Sequence, residues 1–250
     1  MVSDFTADAI VLAATEVGEE DRILTFLTRD LGLLRAAASS VSNLKTGRSA
    51  ALDLFVRTRI GFTIPRRSGS LKRIKSAEVL DAYMEIRKDY ERLCTASYMG
   101  QTVIHCIQEE EEARGVFDVV NACLNYLNSG MERYRVLLLF ETRILRELGM
   151  FPELERCMFC GEQADRTCRL EPGEGGVVHM ECGGQDHGKV LTPGDLSVLR
   201  YLSTRSIEAA SRLTLPDKEA KRLFSTVHDF SVHHLEYEAK AYKTLEPVEG

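Results

Sequence analysis

Leu52-Asp53-Leu54-Phe55-Val56-Arg57-Thr58-Arg59-Ile60-Gly61-Phe62-Thr63-Ile64 alternates without a break over thirteen residues. Leu52, Leu54, Val56, Thr58, Ile60, Phe62 and Ile64 fall on one face, and Asp53, Phe55, Arg57 and Arg59 on the other. Successive side chains of an extended chain point to opposite sides, so a period of two is the mark of a half-buried strand. The reading predicts one strand over Leu52–Ile64, bent near Gly61.

Shorter β segments surround it. Ala9–Ala13 is apolar, Ile23–Leu27 follows the acidic turn Gly18-Glu19-Glu20-Asp21, Leu33–Ala38 follows Gly32, and Leu71–Leu80 follows the turn Pro65–Ser70. Several short strands separated by turn residues within the first 80 residues fit a small closed barrel, which has no open edge. The polar, basic segment Ser39–Ser49 reads as a long loop.

Charge is segregated along the chain. The net charge is −6, yet residues 1–80 hold 12 Lys and Arg against 9 Asp and Glu. Within them, Arg35, Lys45, Arg48, Arg57, Arg59, Arg66, Arg67, Lys72, Arg73 and Lys75 face a single acid, Asp53, over residues 35–75. Basic residues on one strand ordinarily mean a solvated face. Ten against one over this span points instead to a polyanion, and these ten are the candidate DNA-binding residues. The chain has no Trp, and the basic region offers only Phe55 and the inward Phe62. Phosphate contacts should therefore dominate over base stacking, with steep salt dependence and little sequence discrimination.

From about Asp81 the period becomes helical. Ile86, Tyr90, Leu93, Ser97, Ile104 and Ile107 mark one long helix or a broken pair; Phe117 to Leu127 mark a second; Tyr134 to Leu148, closed by Gly149, a third. Thr192-Pro193-Gly194-Asp195 has the hydroxyl, proline and acid of a helix start. Pro216 to about Thr244 reads as a long last helix. Cys94, Cys106 and Cys123 fall within helices and read as small buried hydrophobes. His228, His233 and His234 read as packing and surface residues, because adjacent helical histidines diverge by about 100°.

Between the helices lies Cys157-Met158-Phe159-Cys160-Gly161, and then, after Gly175-Gly176, His179-Met180-Glu181-Cys182. Two ligands separated by two residues reach one ion from a single tight turn. Two such knuckles close a tetrahedral site of three thiolates and one imidazole. With no open position the site is structural, and the reading is a zinc ribbon holding Zn²⁺ on Cys157, Cys160, His179 and Cys182. Cys168 and His187 lie in the same segment as alternative fourth ligands.

No P-loop, dinucleotide fingerprint, H-E-x-x-H or G-x-S-x-G occurs, so the chain is not expected to be an enzyme or to take a small-molecule substrate. Seven cysteines, no export signal and no membrane-length apolar run lead to an expectation of a cytoplasmic protein without membrane contact.

The N-terminal Ala9-Ile10-Val11-Leu12, Gly18-Glu19-Glu20-Asp21-Arg22-Ile23-Leu24-Thr25 and Leu27-Thr28-Arg29, with Phe140-Glu141, Leu145, Glu147-Leu148-Gly149 and Pro152-Glu153-Leu154 leading into Cys157-x-x-Cys160-Gly161, resemble the RecO family of bacterial recombination mediators. The resemblance covers nearly the whole chain. It implies an α+β protein: an N-terminal OB-fold barrel over 1–80, an all-α domain over 81–150 and 191–250, and the zinc ribbon over 151–190 as an insertion. It further implies a nucleoid-associated repair protein of the RecF-type pathway. Such a protein binds single- and double-stranded DNA and anneals complementary strands. With RecR, and by engaging the C-terminal tail of single-strand-binding protein, it promotes RecA loading. The chain departs from the family in placing His179 where zinc-binding members usually carry Cys; imidazole is an acceptable zinc ligand. Lys240-Ala241-Tyr242-Lys243 matches the family's basic end only loosely. The competing reading is a zinc-ribbon adaptor whose basic barrel contacts RNA or protein, which a strand-annealing assay separates from the first.

Overall fold

The computed structural model describes residues 4–17, 21–38, 50–64, 71–109, 112–183 and 188–245. The chain forms two compact units, one of Met1–Ser129 with Ala239–Gly250 and the other of Gly130–Glu238.

The first unit is built on β1 (Asp4–Val17), β2 (Asp21–Thr28), β3 (Gly32–Ala38), β4 (Arg57–Thr63) and β5 (Lys72–Asp81), closed in the order β1-β2-β3-β5-β4. All neighbours pair antiparallel except β3 with β5, which run parallel through Ala36↔Lys72 and Ala37↔Arg73. This is the expected OB-like barrel. Its interior is filled by Ala9, Val11, Leu24, Phe26, Leu34, Ala36, Leu52, Ile60 and Phe62. The intervening residues Ile10 and Leu12 are also buried, so β1 is covered on both faces, which is why Ala9–Leu12 reads as an unbroken apolar run.

The Leu52–Ile64 alternation overstates its strand. Only Arg57–Thr63 is extended; residues 51–55 form turns, and Phe55 sits at φ 61°. The Phe55 N–H donates to Val11 O at 2.8 Å, and the Val11 N–H to Val56 O at 3.1 Å. These bonds fix a turn whose apolar residues happen to continue the period of two. Phe55 is buried and would lie 3.3 Å from a Cβ at Gly100, so it packs on a helix instead of sharing the face of Arg57 and Arg59. Ile64, expected inside, is exposed just past the strand end.

The helices of this unit are α1 (Met84–Arg87), α2 (Tyr90–Cys106) and α3 (Arg114–Asn128). The long periodic segment is thus a broken pair. Lys88 ends one helix and Asp89 caps the next, accepting from the N–H groups of Glu91 and Arg92. Cys94 and Cys123 are buried, as expected, whereas Cys106, at the end of its helix, is only partly buried. The chain terminus returns here as a 3₁₀ turn, Lys240–Thr244, with Ala241 N–H donating to Gln101 Oε1 at 3.1 Å.

The second unit pairs α4 (Arg133–Glu147) with α7 (Asp217–Leu235), joined by α5 (Pro193–Thr204) and α6 (Ile207–Ser211). Thr192 and Asp195 form the anticipated capping box, with Asp195 also bonded to Arg222. The last helix stops at Leu235, short of the expected Thr244, where Glu236 turns left-handed at φ 50°. His228 is buried, its Nδ1 3.3 Å from Glu141 Oε1, which makes it an interior polar contact. The ribbon lies between α4 and α5 as a three-stranded antiparallel sheet. It holds β6 (Cys168–Glu171), β7 (Gly176–His179) and β8 (Lys189–Leu191), in the order β7-β6-β8.

Candidate metal centre and nucleic-acid interface

The first knuckle is a turn closed by Gly161 N–H donating to Cys157 O and Cys157 N–H donating to Glu162 O, both at 2.9 Å. Gly161 takes φ 73°, which a Cβ would strain. The second is built alike: Cys182 N–H donates to His179 O at 2.9 Å, and Gly183 follows at φ 79°. The shared motif is therefore ligand-x-x-ligand-Gly. The second glycine was visible in the sequence and carries the same role as the first.

These turns bring Cys157, Cys160, His179 and Cys182 together, with one ligand atom from each within 4.8 Å of the others. A tetrahedral site with bonds of about 2.3 Å has edges of about 3.8 Å, so the group fits a metal ion with small adjustments. His179 Nδ1 lies 3.4 Å from Cys160 Sγ, while Nε2 lies 3.2 Å from Gln163 O. A carbonyl only accepts, so Nε2 carries the proton and Nδ1 presents its lone pair to the thiols. Arg166, ion-paired to Glu181 at 2.7 Å and Glu162 at 3.4 Å, also comes within 3.1 Å of Nδ1.

Burial pushes the Cys157 thiol up, but N–H groups of Cys160, His179 and Phe159 aimed at the sulfur outweigh this and bring it to about 6. Cys182 is pushed up to about 11, by desolvation and then by Cys160 and Cys157. A shared ion removes this mutual opposition, since every ligand thiol can then ionise. Cys168 stands apart from the group. It pairs with His179 across β6 and β7, and its thiol donates to Arg166 O at 3.2 Å. His187 lies outside the described residues.

Of the ten basic candidates, Lys45, Arg48, Arg66 and Arg67 lie outside the described residues. The other six stand on three adjoining barrel strands: Arg35 on β3, Arg57 and Arg59 on β4, and Lys72, Arg73 and Lys75 on β5. The register sets Arg73 opposite Thr63, and Lys75 falls in the irregularity between Ile74 and Ser76. Arg59, Arg73 and Lys75 are exposed. Arg35 is exposed too, 3.9 Å from Glu109.

One charged group on this wall escaped the sequence reading. Asp8, on β1, pairs in register with Arg59 and accepts from both Arg59 Nε at 3.2 Å and Arg57 Nη2 at 3.5 Å. An acid set between Ala7 and Ala9 was the available sign, and it lies outside the 35–75 window.

Among the described residues, no helix is long and apolar enough to cross a membrane. An OB-like barrel with basic side chains along adjoining strands, followed by helices that carry a knuckled metal-ligand group, is the build of a nucleic-acid-handling protein. Comparison narrows that class to DNA repair. Family models described as Recombination protein O N terminal and Recombination protein O C terminal match residues 1–83 and 87–243, and the chain belongs to the RecO family. Among its relatives is a DNA repair protein RecO of Roseiflexus sp. (strain RS-1), 28% identical over 248 residues, covering 98% of this chain and 86% of the relative. Another, from Dehalococcoides mccartyi (strain CBDB1), is 28% identical over 246 residues, covering 98% and 96%. The DNA repair protein RecO of Myxococcus xanthus (strain DK1622) is 27% identical over 228 residues, 91% of each chain.

Proposed function

We propose that this DNA repair protein is a non-enzymatic mediator. It binds single- and double-stranded DNA through its barrel, anneals complementary strands, and acts with RecR and the tail of single-strand-binding protein to promote RecA loading. The observation that carries the reading is the closed barrel with Arg59, Arg73 and Lys75 exposed on the adjoining strands β4 and β5. Long cationic side chains on a pleated wall meet successive phosphates while leaving bases unread. A protein that pairs two strands benefits from that, since bases must stay free to meet. Arg35, Lys45, Arg48, Arg57, Arg66, Arg67 and Lys72 extend the same contact.

The ion held by Cys157, Cys160, His179 and Cys182 is Zn²⁺ in this reading, because three thiolates and one imidazole form a soft, closed, tetrahedral donor set. It serves folding of the segment 151–190, between helices of 81–150 and 191–250, and leaves residues 1–80 as the DNA-binding part.

The test is annealing of complementary oligonucleotides, bare and coated with single-strand-binding protein. Faster annealing in both cases is expected. A chain that binds neither DNA form and leaves annealing unchanged overturns the proposal.

A further inference from the structure

We propose that Arg57 and Arg59 form one phosphate seat on the barrel wall and that Asp8 occupies it as a built-in competitor for the DNA backbone. The inference rests on the reading that the barrel binds DNA.

The geometry is that of a two-pronged anion clamp. Arg57 and Arg59 stand two residues apart on β4, so both project from the same side of the sheet. Asp8 Oδ2 meets Arg57 Nη2 at 3.5 Å, and Asp8 Oδ1 meets Arg59 Nε at 3.2 Å. Each carboxylate oxygen therefore takes one guanidinium, as the two non-bridging oxygens of a phosphodiester would. The two arginines differ in freedom. Arg57 is 30% exposed, lies 5.9 Å from the Phe117 ring centroid, and its Nε is buried without a hydrogen-bond partner among the described residues. Arg59 is 53% exposed and can swing. A fixed donor beside a mobile one suits capture of a moving strand. The Asp8 carboxylate, 28% exposed, must yield before a phosphate enters, because the two anions repel and claim the same donors.

Neutralising Asp8 while keeping its shape should then free the seat. In fluorescence-anisotropy titrations of the full chain with a labelled single-stranded oligonucleotide at several salt concentrations, Asp8→Asn is expected to bind about three- to thirtyfold more tightly at low salt. Its dependence on salt should steepen by about 1 in the log–log slope, the equivalent of one or two more phosphate contacts. Glu16→Gln, which adds the same charge on β1 at a carboxylate paired with Arg22 at 3.6 Å, should change affinity by less than about twofold. Arg57→Gln with Arg59→Gln on the Asp8→Asn background should cancel the gain. Asp8→Thr, with a strong strand former, repeats the test should the asparagine variant fold poorly. Unchanged or weaker binding by a folded Asp8 variant, or an equal gain from Glu16→Gln, overturns the proposal. A wild-type chain that binds no DNA sinks the underlying reading instead.

Discussion

Removing His179 and removing Cys168 should have different consequences for zinc affinity, and the contrast probes the ligand set directly. The two residues face each other across β6 and β7 and both are buried, so lost packing alone would treat them alike. Only His179 belongs to the converging group. Structural zinc sites supply about 10–16 kcal/mol of apparent binding free energy, so one ligand of four carries about 2.5–4 kcal/mol. His179→Ala should weaken zinc by about two to three orders of magnitude. Cys168→Ala removes a sulfur and one weak hydrogen bond, costs about 1–2 kcal/mol of stability, and should leave metal affinity within about threefold. The assay is zinc content after dialysis against a graded chelator. It is supported by the thiolate-to-metal absorption of the cobalt-substituted protein, which His179→Cys should retain and intensify. Full zinc retention by His179→Ala, or loss of zinc from Cys168→Ala, would refute the assignment.

Two further predictions concern the frame that holds these sites. A Cβ at Gly61 would lie 2.3 Å from Ser76 Oγ but 3.6 Å from Ser76 Cβ, so Gly61→Ala should destabilise by about 1 kcal/mol and Gly61→Ala with Ser76→Ala should recover most of it. Strict additivity in urea unfolding would show that β4 and β5 do not meet there. Asp195 is buried; burial pushes its carboxyl up, but bonds from Arg222 and Thr192 outweigh this and hold it below the ordinary range. Its contribution, about 2 kcal/mol by Asp195→Ala, should be complete above about pH 4 and fade as pH falls below that range. A wild-type to variant difference that persists undiminished at pH 2.5 would contradict it.

The family, the barrel and the metal group were all legible in the sequence, for different reasons. The ribbon was readable because ligand spacing is local: each knuckle is one turn, and its chemistry repeats at His179-x-x-Cys182. The barrel was readable because inward Thr58, Ile60 and Phe62 alternate with Arg57 and Arg59. Periodicity could not distinguish the strand from the turn ahead of it, since Leu52 and Phe55 are buried there for tertiary reasons. Nor could it show Asp8 reaching Arg57 and Arg59, 49 and 51 residues away, because a cross-strand partner depends on register. The last helix was overextended for a similar reason: Tyr242 lies seven residues past Leu235, a helical spacing, yet Glu236 turns left-handed and the chain leaves α7.

In the proposed function, the outer wall of β4 and β5 holds the DNA backbone. The most direct measurement is equilibrium binding of single-stranded DNA across a salt series, for the wild type and for Arg59→Gln with Arg73→Gln and Lys75→Gln. Each lost phosphate contact should flatten the log–log slope by about 0.7; with the Arg59 seat held by Asp8 in the wild type, the loss comes mainly through Arg73 and Lys75, so the triple variant should lose about 1.4 from the slope and bind much more weakly at low salt. Wild-type affinity and slope in a folded triple variant would show that DNA binds elsewhere.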